Sequence, residues 1–185
     1  MPSPVGHSLA GLIIYQIAPE IQGLARRQVI ALYLFAANAP DLDFVPGLIA
    51  GAPNRFHHGI SHSMGLALLF AGLATLVLRR FDRQRLWRHF LVFFSLYLSH
   101  LILDYLSADY GAPYGVPLFW PASNTYYMSP LVLFSDIHRS TTTTQFFPSL
   151  LSAHNLWSVS RECLVLVPIL LLVLARRSRM RTAAG

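Results

Sequence analysis

No lysine occurs in this chain, and cysteine occurs once, at Cys163. A single thiol excludes an internal disulfide and every cysteine-rich zinc motif. Charge is scarce: 12% of the 185 residues are charged, against roughly 25% in an ordinary soluble domain. So few charges cannot cover a soluble globule of this size, and embedding in a membrane is the natural explanation. The net charge of +6 is carried by arginine alone. It does not point to nucleic acid, because the arginines sit in short clusters at the ends of apolar runs, which is how membrane topology is written. The opening MPSPVGHS holds no lysine or arginine, so no cleavable secretory signal is expected.

What the chain does have is apolar length. Hydrophobic residues make up 54% of it, and its mean hydropathy is +0.48. A bilayer core takes about 20 apolar residues per helix. Residues 60–78 and 90–106 approach that length, as does 163–175 if it begins upstream near Leu156. Two shorter stretches, residues 9–18 and 29–37, fit tilted, partly buried or re-entrant helices. The expected fold is all-α: a multi-pass transmembrane helix bundle of about five hydrophobic segments, forming one domain.

The arginines give the expected topology. Arg26-Arg27, the hinge at 79–89 and the tail at 176–181 belong on the cytoplasmic side of an inner membrane by the positive-inside rule. The alternation closes without conflict, with the N-terminus outside and the C-terminus inside. Residues 40–58 and 107–160 then lie outside, where Tyr110, Tyr114, Trp120, Tyr126, Tyr127 and Trp157 suit the headgroup layer. The run STTTT at 140–144 reads as a flexible surface loop.

Four short motifs carry chemistry. His100 and Asp104 stand at i and i+4 on one helical face, where they can grip one cation; a buried His–Asp hydrogen bond is the ordinary alternative. Ionisable groups inside a spanning segment are costly, which favours function. His57, His58 and His62 crowd the mouth of the next apolar run, with Gly59 placed for a turn and Ser61 or Ser63 for a cap. Asp41 and Asp43 follow Pro40; in an extended segment both carboxylates share one side and resist joint ionisation unless a cation lies between them. His7 precedes Ser8 at the start of the first apolar stretch.

Taken singly, each motif is weak. Together they are stronger, because a topology drawn from arginines alone sends His7, Asp41, Asp43, His57, His58, His62, His100 and Asp104 to one face. Only His89, Asp82 and Glu20 fall on the other. A mixed His/Asp set without cysteine suits Zn²⁺, with Mn²⁺ or Fe²⁺ next, and a bridging carboxylate would suit two ions.

The order of His7, Pro40-Asp41-Leu42-Asp43, His57-x-Gly-x-Ser-His62-Ser63, His100-x-x-x-Asp104, Tyr110-Gly111 and Phe119-Trp120-Pro121 resembles the predicted membrane-bound metal-dependent hydrolases (YdjM-like) over residues 5 to 125. That family commonly has His-Arg-Gly where this chain has His57-His58-Gly59, which makes His58 an additional candidate ligand. The motif order is also remotely similar to zinc-dependent phospholipase C and the P1-type nucleases, which are helical enzymes that hydrolyse phosphodiesters. By that resemblance, Asp41 or Asp43, His62, His100 and Asp104 would hold one metal. His7 with a bridging Asp104 would help hold a second. No later residues complete a third site: the spacing of His138, His154 and Glu162 does not suggest one.

The expected function is metal-dependent hydrolysis of a phosphoester such as a lipid headgroup or a lipid-linked phosphate. A zinc-bound water has a pKa of about 7, and Asp41 or Asp43 is the candidate to orient or deprotonate it. His57 belongs to the ligand set, and His58, Tyr110 and Trp120 are candidate substrate contacts. Two alternatives compete: a structural metal in a non-catalytic membrane protein, and a metal or proton transporter. The almost wholly apolar residues 64–78 and 90–97 argue against a conducting path.

Overall fold

A computed structural model describes residues 1–183. The chain enters its first helix at Ser3, whose hydroxyl accepts from the N–H groups of Val5 and Gly6, with Pro4 in the first turn, where a missing donor costs nothing. This helix, α1, runs Pro4–Ile17 and stops short of Pro19. Helix α2, Arg26–Asn38, continues through a 3₁₀ turn at Ala39–Asp43 into the short α3, Phe44–Ile49. A second 3₁₀ turn, Ile60–His62, leads into α4, Met64–Leu78, capped by the Ser63 hydroxyl. Helix α5 spans Leu86–Tyr105, α6 spans Thr143–Ser149, and α7 spans Ala153–Ala183. No β-strand is present among the described residues, only isolated bridges at Ser107–Phe134 and Val116–Tyr127. The all-helical class follows the sequence.

Helices α1, α2 and α5 pack on one another, α4 lies against α5, and α7 lies against α1. Small residues let the backbones approach: Ala36, Ala37 and Ala71 are buried, and a Cβ on Gly11 would stand 3.0 Å from that of Ala37. Tyr33, Phe93 and Leu96 fill the core between them. The buried stripe of α5 runs His89, Phe93, Leu96, His100, Leu103 and Asp104, which is helical spacing, so the face that packs the core at one end carries the polar groups at the other.

Three segments are long and apolar enough to cross a membrane: Arg26–Ile49, Leu86–Tyr105 and Ala153–Met180. The expectation of about five hydrophobic segments is therefore met in part. Helix α4 has 15 residues, because Ile60–His62 is drawn into the 3₁₀ turn that presents His62, and α1 has 14. The segment at 29–37 reaches a spanning length only by running through its 3₁₀ turn into α3. Helix α7 presents Leu164, Leu171 and Leu172 outward, each more than half exposed, as a lipid-facing helix does. It also carries Pro168, which membrane helices tolerate. The expected STTTT loop gives up its last two threonines to the start of α6.

Candidate metal centre

His100 comes from α5 and His62 from the turn before α4, and both are fully buried. Each imidazole is oriented by its Nδ1. That of His100 lies 2.8 Å from the Ala37 carbonyl, and that of His62 lies 3.1 Å from Asp43 Oδ2. A carbonyl can only accept, so His100 carries its proton on Nδ1; Asp43 asks the same of His62. Both rings therefore present a bare Nε2, and these two atoms face each other at 3.3 Å. Asp104 Oδ2 stands 3.2 Å from the first and 3.3 Å from the second. Asp41 Oδ1 stands 3.6 and 3.7 Å from them. Ligands held about 2.0–2.1 Å from a tetrahedral zinc are separated by about 3.3–3.4 Å, so His62, His100 and Asp104 have the spacing of a ligand set, with Asp41 Oδ1 beside the two imidazoles.

The buried atoms left without hydrogen-bond partners agree. They include Asp41 Oδ1, both oxygens of Asp104 and both ring nitrogens of His7. Buried polar groups are almost always satisfied, and a divalent cation among these atoms would satisfy the carboxylate oxygens and one nitrogen of His7. His7, from α1, stacks on His100 with ring centroids 3.6 Å apart, and its Nε2 lies 3.5 Å from Asp104 Oδ1, the oxygen that His62 and His100 do not share.

The turn at Ala39–Asp43 corrects the sequence reading in one respect. Asp41 and Asp43 do not alternate along an extended segment; Pro40 enters a 3₁₀ helix, and the two carboxylates nonetheless stay close, with Asp41 Oδ1 at 3.9 Å and Asp43 Oδ1 at 3.0 Å from His57 Nδ1. Asp41 faces His62 and His100. Asp43 accepts from Ser61 at 2.7 Å and pairs with His57 Nδ1 at 3.0 Å as well as with His62. Its two oxygens are thus spent on orienting other side chains.

His57 stacks on Phe44, and its Nε2 meets the Met1 sulfur and, at 3.3 Å, Arg139. Burial pushes its imidazole down to about 3, so it is neutral at physiological pH. His58 sits in the left-handed region at φ 59°, a conformation few non-glycine residues adopt. Its Nδ1 pairs with Asp109 at 3.2 Å, its Nε2 is buried and unpartnered, and burial lowers its pKa. Burial opposes ionisation of Asp109, but hydrogen bonds from His58 and from the N–H groups of Gly111 and Gly115 outweigh it and hold the carboxyl at about 2.

A cavity of about 360 Å³ opens beside these residues, lined by His57, His58, Asp109, Tyr110 and Arg139 among others. Trp120 is not among its lining residues. Its carbonyl accepts from Gly65 at 3.1 Å, at the start of α4, and a Cβ on Gly65 would come within 2.6 Å of that oxygen. Arg139 is missed by the sequence reading. Among the described residues it has no carboxylate within 4.0 Å, and it lies over the Phe44 ring with an N–H on the Met1 sulfur at 2.8 Å. Nothing in its local sequence marks it, because the chain brings it back from 82 positions beyond His57.

Glu162 is no ligand. From α7 it accepts from Ser3 N at 2.7 Å, Ser3 Oγ at 2.5 Å and Gly6 N at 3.1 Å, placing a carboxylate on the N-terminus of the helix that carries His7. A larger cavity, of about 710 Å³, lies at the opposite end of the bundle, lined by Tyr15, Glu20, Arg26 and Arg177 among others and by no histidine.

Fold and site together define a helical protein with membrane-spanning character and a buried cluster of histidines and aspartates at one end of its bundle. The chain belongs to the YdjM inner membrane protein family, whose model matches residues 1–183. No curated protein and no solved structure matches it.

Proposed function

We propose that this protein is a membrane-bound metal-dependent hydrolase acting on a phosphoester at the membrane surface. The observation that carries the reading is the convergence of His62 Nε2, His100 Nε2 and Asp104 Oδ2 at 3.2 to 3.3 Å from one another, with Asp41 Oδ1 3.6 to 3.7 Å from the two nitrogens, from three separate segments and with no proton to share between those nitrogens. His62, His100 and Asp104 would hold one divalent ion, most simply Zn²⁺ given two imidazoles and a carboxylate, with Asp41 beside it. His7 and the second oxygen of Asp104 would contribute to another. Such an ion supplies an acidified water and a Lewis acid for the phosphoryl oxygen.

The remaining work falls to the chain. Asp41, facing the cluster with an unpartnered oxygen, is placed to take a proton; Asp43 and Asp109 fix the orientation of the histidines. Arg139, without a carboxylate partner at the cavity wall, is placed to bind the anionic phosphate. Tyr110, 77% exposed, and His58 line the approach. A lipid headgroup or lipid-linked phosphate fits a cavity on a bundle of this kind. The likeness to phospholipase C and P1-type nucleases rests on residue order alone and serves only as motivation for the phosphoester class. Orientation with the cavity outside and the C-terminus in the cytoplasm is part of the same proposal.

Full burial of His7, His62 and His100 favours a second reading, a closed structural metal in a non-catalytic protein. One experiment separates the two. Purified protein in detergent is analysed for bound metal and assayed on bis(p-nitrophenyl) phosphate and on phospholipid. The hydrolase reading expects metal-dependent turnover that disappears, with the metal, in Asp104→Ala. Bound metal without turnover on any phosphoester would support the structural reading instead.

A further inference from the structure

A second cluster of metal-ligating groups lies outside the centre just described. Asp136 and His138 come from the irregular chain before α6, and His154 comes from the first turn of α7. The two imidazoles stack, with centroids 3.6 Å apart and planes 5° apart. His154 Nε2 stands 3.2 Å from Asp136 Oδ1, and His138 Nε2 stands 3.5 Å from Asp136 Oδ2. One ligand atom from each residue lies within 4.8 Å of the other two.

The arrangement is held from beneath. Asn155 is buried, 2% exposed, and clamps the His138 backbone from both sides: its Oδ1 accepts from His138 N at 2.7 Å, and its Nδ2 donates to His138 O at 2.8 Å. Ser158 donates to the Asp136 carbonyl at 3.0 Å. His154 Nε2 also lies 3.1 Å from that carbonyl, which can only accept, so this nitrogen donates to it and would give up that proton to bind an ion. That hydrogen bond does not account for His138, whose ring makes no hydrogen bond among the described residues and is nonetheless held with its Nε2 toward the carboxylate. Backbone clamping brings an imidazole beside a carboxylate and a second imidazole; their in-plane lone pairs do not converge in the stacked pair, so one ring would tilt out of the stack to share an ion.

We propose that Asp136, His138 and His154 form a separate, solvent-open site for a borderline divalent transition metal such as Zn²⁺ or Cu²⁺. Two imidazoles and one carboxylate match that class of ion. The side chain of His138 is 58% exposed, which leaves room for water or an anionic ligand in the remaining positions. Asp136 and His138 also line the 360 Å³ cavity, so an ion here would add positive charge to the cavity that His57 and His58 line as well. The proposal stands whether or not the buried centre is catalytic.

The test uses full-length, untagged protein in detergent, stripped of metal and titrated with Zn²⁺ by calorimetry and with Cu²⁺ by electron paramagnetic resonance. One binding event should weaken by about 10-fold or more in His138→Ala and in Asp136→Asn, with loss of nitrogen coupling from the corresponding copper signal. The same event should persist in Asp104→Ala. His138 is exposed, so its replacement leaves the fold intact, and an unchanged far-ultraviolet circular dichroism spectrum confirms this. Identical binding isotherms for wild type and His138→Ala would overturn the proposal. So would one event lost equally in His138→Ala and Asp104→Ala, because the outer residues would then only report on the buried centre.

Discussion

At the scale of single residues, the site divides into atoms that face the shared point and atoms that hold them there. Asp104 and Asp43 stand on opposite sides of that division. Asp104 leaves both oxygens unpartnered among three imidazoles. Asp43 has both occupied, by His57, His62 and Ser61. Asp43→Asn should therefore keep the metal but weaken its binding by about 10- to 100-fold, the range for loss of a group that orients a metal-bound histidine; competition with a chelating dye measures this. Arg139→Gln should leave metal content unchanged and weaken inhibition by inorganic phosphate by about 10-fold, since a charge-assisted contact to an oxyanion is worth about 1.5–3 kcal/mol. Unchanged phosphate inhibition would remove Arg139 from the substrate site.

At the scale of elements, α1 depends on α7 for its position. Glu162 accepts three hydrogen bonds at the α1 N-terminus, and a Cβ on Gly6 would lie 2.7 Å from its Oε2, so the two helices meet with no room to spare. Glu162→Ala would orphan those donors and remove a carboxylate from a helix N-terminus, costing about 2–4 kcal/mol. A lower thermal unfolding midpoint in detergent is the readout, and metal binding that involves His7 should weaken with it.

The elements also explain what could be read from the sequence and what could not. The i, i+4 spacing of His100 and Asp104 and the apolar periodicity around it fixed one helix face, and α5 carries both residues as expected. Arginine clusters placed His7, Asp41, His57, His62 and Asp104 at one end together, where the fold brings them. The 3₁₀ turn was not legible, because a five-residue turn at Ala39–Asp43 leaves no periodic signal; Pro40 at its start was the one available cue. The pairing of His138 with His154 and the return of Arg139 to His57 are long-range consequences of how an irregular segment is pinned by Asn155 and Ser158. No local pattern encodes them.

At the scale of the whole molecule, the two ends of the bundle differ in kind. One end gathers the histidines and aspartates except the buried His89–Asp82 pair, which lies at the other. The other gathers arginines: Arg26 donates to Tyr15, Arg177 donates to Gln16, and Gly23 lies beside Phe81 of the α4–α5 hinge. That segregation agrees with the proposed orientation. In a Cys163→Ala background, Asn124→Cys should react with a membrane-impermeant maleimide in spheroplasts, and Gln84→Cys should react only after permeabilisation. The reverse labelling pattern would invert the topology and put the cavity in the cytoplasm.

The proposed function depends on the buried histidines and aspartates of separate segments sharing one cation. X-ray absorption spectroscopy at the metal edge of the purified protein, carrying His138→Ala to silence the outer cluster, tests that directly. The account predicts a nitrogen and oxygen coordination shell with imidazole scattering and no sulfur, lost in Asp104→Ala. A metal-free preparation that takes up no divalent ion, or a spectrum unchanged by Asp104→Ala, would contradict it.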